Sequence, residues 1–315
     1  AGAGAAAAAP GIATFYLAQV IVGLGVACLL SAGFAGVGAW FSDEEAGKAM
    51  GYVVGAQSLA WIAGNPVIGL LTEAVSWRLA YAVPGVAALT ALLVAVLIAP
   101  RQHTPDASGS GGLGAVLRDL SARRWAVAEL VAYAAWTAEL TYAGAFYIES
   151  YDVSVATVGF LLAAGSLCFL AGTLVTDRVS QVAGRKRMIV FSAAAMGVML
   201  ALILNLTPSV AFTVGLFCVL AVFAAFRSTG TSALGLHQLP ERSGSMMAAR
   251  TTSAQLGYML GALAGGAIIA LSGFGLLGFA LLAGMLVSAA LLARVHDPHA
   301  ETTERGPRLP EAVPD

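Results

Sequence analysis

The chain has 315 residues and a net charge of −1; 59% of its residues are hydrophobic and only 10% are charged, with a mean hydropathy of +0.84. A soluble domain carries roughly 25% charged residues, because its surface must stay wet. So few charges exclude an ordinary water-facing domain, and the balance shows no basic excess for nucleic acid.

Residues 1–9 are almost all alanine. They are too short to span and read as the end of a helix. Apolar stretches of spanning length, roughly 20 residues for a 30 Å hydrocarbon core, then recur. They lie at about 11–40, 48–72, 78–99, 125–148, 155–176, 188–206, 209–236, 247–272 and 275–294. The expectation is nine complete transmembrane helices. Breakers separate them, among them Ser42-Asp43-Glu44-Glu45, Asp152-Val153-Ser154 and Ser272-Gly273-Phe274-Gly275. The longest connection holds Ser108-Gly109-Ser110-Gly111-Gly112 and reads as a flexible linker. It predicts a division into 1–100, a linker at 101–124, a second bundle at 125–297 and a disordered tail at 298–315. The cysteines, Cys28, Cys168 and Cys218, are scattered in apolar stretches and read as packing residues.

Basic residues gather in alternate connections. With the linker and C-terminus in the cytoplasm, so are Lys48, Arg101, Arg118, Arg123, Arg124, Arg178, Arg185, Lys186, Arg187, Arg242, Arg294, Arg305 and Arg308. Only Arg78 falls outside. The expectation is a multi-pass protein of the plasma membrane with a cytoplasmic C-terminus.

The two parts also echo each other at an offset of 197 residues. Glu44, Gly47 and Met50 match Glu241, Gly244 and Met247, while Gly64 and Gly69 match Gly261 and Gly266. Repeated halves are the build of many secondary transporters. Gly257, Gly261 and Gly265 form a stripe that lets helices approach closely.

The most specific motif is Gly172-Thr-Leu-Val-Thr-Asp177-Arg178, followed by Gly184-Arg185-Lys186-Arg187. It is expected as a short cytoplasmic loop, with Gly184 allowing a tight turn. An ordinary positive-inside loop is the plainer alternative. Here the sequence resembles the major facilitator superfamily, which carries a Gly-x-x-x-Asp-Arg…Gly-Arg-Lys/Arg-Arg motif between its helices 2–3 and 8–9. Two spacings differ: Gly172 to Asp177 is one residue longer, and Asp177 to Gly184 four longer. By that resemblance the complete spans are the family's helices 4 to 12. Helices 1, 2 and most of helix 3 are missing from the chain, and residues 1–9 end helix 3. The resemblance implies an all-α membrane fold of two bundles. Gln19 stands where the family's drug exporters carry Arg in helix 4. Asn65-Pro66 with Gly69 partly matches the helix-5 kink of antiporters.

Charges inside spans are costly and mark function. Glu139 lies near the middle of its span, and Arg227 slightly to the cytoplasmic side of the centre of its own. Trp136, Tyr142 and Tyr133 lie near Glu139 at helical spacing. The resemblance puts both helices on a central cavity. The expectation is that Glu139 binds a proton or a cationic solute and that Arg227 lies within reach of Glu139 or of an anionic solute group. A structural ion pair, or Arg227 snorkelling to the interface, is the alternative. Glu129 and Arg250 lie nearer helix ends and read as structural.

No catalytic, nucleotide or metal motif is present, and no pair of histidines shares metal-ligand spacing. The expected function is secondary transport of a small organic solute by alternating access, as proton-coupled efflux. No enzyme activity or cofactor is expected; the partners are the solute, protons and the lipid bilayer. The other reading is a non-transporting, transporter-like membrane protein.

Overall fold

The structure, a computed structural model, describes residues 1–40, 43–98 and 112–297. It is helical throughout these residues: α1 (Gly2–Ala7), α2 (Ile12–Trp40), α3 (Asp43–Ala74), α4 (Trp77–Ala80), α5 (Ala82–Ile98), α6 (Gly112–Arg118), α7 (Leu120–Tyr151), α8 (Val155–Ala183), α9 (Arg185–Asn205), α10 (Val210–Leu236), a 3₁₀ turn at Pro240–Arg242, and α11 (Ser243–Ala293). The expected tail at 298–315 and most of the expected linker lie outside the described residues.

Six described helices are long and apolar enough to cross a membrane: Ile12–Leu29, Trp77–Leu97, Val155–Ala183, Arg185–Asn205, Val210–Leu236 and Gly244–Ala293. The expected count was nine, and the difference has physical causes. α11 merges two expected spans. It is broken at Gly273, whose φ of 75° and ψ of −173° suit glycine alone. α3 and α7, 32 residues each, are not among the six. α7 carries Glu129, Glu139 and several aromatic hydroxyls, which dilute its apolar character.

Helix ends follow local chemistry. Ser76, Ser154 and Ser209 each accept a backbone N–H three residues on, at the starts of α4, α8 and α10. Asp152 ends α7 in the left-handed region at φ 53°. α2 and α5 expose Leu17, Val20, Leu24, Leu92 and Leu97. Lipid tails are as apolar as these side chains.

Contacts divide the chain into two compact units: 1–108 with 147–167, and 109–146 with 168–315. The 147–167 segment therefore packs with the N-terminal part. Within that first unit α3 meets the start of α8 closely. A Cβ on Gly69 would lie 2.9 Å from the Val155 carbonyl oxygen, and one on Gly159 would lie 3.1 Å from Pro66 Cα.

The second unit has its densest core near one end. Trp125, Ile189, Leu234, Met246, Leu292 and Val295 are buried together there. Trp125 Nε1 donates to the Thr231 carbonyl at 3.0 Å. A short network closes the same end: Ser121 donates to Gln238 at 2.6 Å, Gln238 donates to the His296 carbonyl at 2.7 Å, and the His296 N–H donates back to Ser121 at 2.9 Å. Higher up, the glycine stripe of α11 lies on α7. A Cβ at Gly257 would sit 2.8 Å from Tyr133 Cβ, and one at Gly261 would sit 2.9 Å from Ala134 Cα.

Candidate functional site

α7 is the scaffold of the site. Its buried residues recur as Ala122, Trp125, Ala128, Glu129, Ala132, Ala135, Ala138, Glu139, Ala143 and Phe146, the spacing of one helix face. Small alanines on that face let neighbouring helices approach. They also leave Glu129 and Glu139 as the large polar groups on it. The two carboxylates are about 15 Å apart along the axis.

The structure corrects the expected pairing. Arg227 lies in an ion pair with Glu129, and Nη2 donates to Oε1. Glu139 has no ion pair among the described residues. The reason is depth. The start of α7 and the end of α10 lie together, joined by Ser121 and Gln238. Glu129 is nine residues from Leu120, and Arg227 nine from Leu236. At 1.5 Å per residue both sit about 13 Å in, whereas Glu139 is about 28 Å in. An arginine side chain cannot bridge that difference.

Arg250 joins the pair from α11. Its Nε lies 3.5 Å from Glu129 Oε2, and its Nη2 donates to Ser228 Oγ at 3.2 Å. Tyr133 faces both guanidinium groups, with ring centroids 5.8 Å from Arg227 Cζ and 5.6 Å from Arg250 Cζ. Tyr258 meets Tyr133 edge to face at 5.6 Å. Glu129 is fully buried, Arg227 is 4% exposed and Arg250 24%. Sequence reasoning set Glu129 and Arg250 aside as near helix ends and did not single out Tyr258. Counting residues inward from ends shared by adjacent helices would have found the cluster.

Glu139 is 4% exposed, and its Oε2 makes no hydrogen bond. Trp136 is half-buried on the same helix. Tyr142 directs its hydroxyl to the Ala262 carbonyl at 2.7 Å, against Gly265, and so braces α11. Of the expected solute-path residues, Tyr133 and Arg227 come together; Glu139 and Tyr142 stand further along α7.

In the first unit, Gln19 donates to the Tyr81 hydroxyl. Asn65, Pro66 and Gly69 face the start of α8, and α3 runs through Pro66 as one helix. Beside them Glu73 accepts the Ala156 N–H at 2.8 Å. Its pKa is lowered from 4.5, first by a hydrogen bond from Ser154 and then by that N–H.

The expected 172–187 loop is corrected too. Gly172, Asp177 and Arg178 are helical, because no breaker follows before Gly184. The connection is Gly184 itself at φ 82°, after which Arg185, Lys186 and Arg187 open α9. Gly172 is a packing glycine: a Cβ there would lie 2.9 Å from Ala225 Cβ on α10. Asp177 and Arg178 are exposed, with no ion pair among the described residues.

Comparison with known proteins gives a match by family. No curated protein matches the chain. The sequence model of the Major Facilitator Superfamily matches residues 1–147 and again residues 125–313. Two matches covering nearly the whole chain accord with helices that are apolar, long and packed through glycine. The chain belongs to the Major Facilitator Superfamily, whose members carry small solutes across membranes.

Proposed function

We propose that this protein is a secondary active transporter that exports a small organic solute through the plasma membrane, with Glu139 carrying the coupling proton. The observation that carries the reading is Glu139 itself. It is a buried carboxyl far along α7, with no cationic partner and no hydrogen bond to Oε2 among the described residues. A carboxyl so placed is costly, and such groups mark functional sites. Alternating access would open it first to one side of the membrane and then to the other. A group that takes a proton on one side and releases it on the other couples the cycle to the proton gradient. Glu129 is held by two arginines and is poorly placed for that task.

The test is the pH profile of solute flux in membrane vesicles. Glu139→Gln should insert normally and lose most of the pH dependence. A profile unchanged from the parent would remove Glu139 from coupling.

A further inference from the structure

We propose that the cluster of Glu129, Arg227, Arg250, Tyr133 and Tyr258 binds the carboxylate of a small organic acid with a flat apolar body. This names a solute class and rests on the transporter reading. Two guanidinium groups meet one carboxylate, so the cluster carries one uncompensated positive charge. Among the described residues no second carboxylate reaches either arginine. Glu139, the next acid on α7, is about 15 Å away along the helix.

The hydrogen bonds show the same imbalance. Arg227 Nε is a buried donor with no hydrogen-bond acceptor among the described residues, and Arg250 Nε reaches only the Glu129 Oε2 of its ion pair, at 3.5 Å. Guanidinium nitrogens only donate, and a carboxylate offers the paired acceptors that match their fork. A purely structural pair would need one arginine for Glu129; the second leaves charge over. The cluster is not buried evenly. Glu129 and Arg227 form a buried floor, while Arg250 is 24% and Tyr258 39% exposed. The rings of Tyr133 and Tyr258 stand beside the arginines and give an apolar body an edge and a face to pack on. The excess of a single charge at this depth favours a monoanion over a more heavily hydrated dianion.

Calorimetric titration of the purified protein with benzoate and 1-naphthoate tests the proposal, with benzamide and benzylammonium as neutral and cationic controls. Saturable binding of at least one acid, and of neither control, is expected. Arg250→Gln should weaken it at least tenfold. Glu129→Gln removes the competing internal anion and should keep or tighten binding. Arg227→Gln leaves Glu129 paired with Arg250 and so occupies the site with the internal anion, and the pair Glu129→Gln with Arg227→Gln replaces it. Absence of binding by both acids, equal binding of benzamide, or an unaltered affinity in folded Arg250→Gln would overturn the proposal. Proton flux driven by cations or neutral solutes without acid binding would overturn this site and leave transport intact. Acid binding without flux of any solute would keep the site and remove the transporter reading.

Discussion

At the residue scale, the ion pair makes the sharpest prediction. Removing one partner of a buried pair leaves a bare charge in low dielectric and costs about 3–5 kcal/mol. Glu129→Gln, which leaves both Arg227 and Arg250 without their carboxylate, should therefore destabilise more than Glu129→Gln combined with Arg227→Gln, read by thermal melting in detergent. Strict additivity would contradict the pairing. Glu73 predicts a pH effect of known sign. Its pKa in the fold lies below the ordinary 4.5. Its contact with Ser154 and Ala156 is therefore fully present above that value and is lost as pH falls through the lowered one. The melting gap between the parent and Glu73→Gln should narrow as pH drops below 4.5; a widening gap would contradict the assignment. The charged residues themselves were legible in the sequence, but their partners were not. The span expected at 125–148 made Glu129 look four residues from an end. The helix starts at Leu120, and the five extra residues bring Glu129 level with Arg227.

At the element scale, glycine decides which helices touch. A side chain at Gly261 has no room against Ala134, whereas Gly215 has nothing within 4 Å. Gly261→Leu should lower stability by at least about 1–3 kcal/mol, the usual range for overpacking. Gly215→Ala should be neutral or stabilising through helix propensity. Equal melting temperatures for the two variants would contradict the α7–α11 packing. The stripe was visible in the sequence as spacing, but the helix it faces was not, because spacing names no partner. The end of α8 was misread for a related reason. Charge at Asp177 and Arg178 marks where a helix leaves lipid, not where it stops, and α8 continues to Ala183. Asp177 and Arg178, exposed here, are proposed to hold neighbouring helix ends in another state of the cycle. Asp177→Asn should then slow transport several-fold at normal insertion, measured as initial flux per inserted protein. Unchanged flux would leave the pair as a topology signal alone.

At the scale of the whole molecule, class could be read early, since a chain with this few charges has to meet lipid along most of its surface, and the family resemblance rested on the motif at 172–187. The apolar runs located the spans but not the helix ends: α11 joins two runs and α7 starts five residues before its own. The polarity of α7, which lowers the tally of apolar spans, is the property that makes it the scaffold for the buried charges. Family membership brings solute transport with it; proton coupling is the claim that most needs direct measurement. Purified protein in sealed liposomes, with a pH-sensitive dye inside and an organic acid such as 1-naphthoate added outside, measures it most directly. The account predicts solute-dependent proton movement in the parent protein, and its loss in Glu139→Gln at equal reconstitution. Proton movement of equal size in both proteins, or none in the parent with any acid, amine or neutral solute, would contradict it.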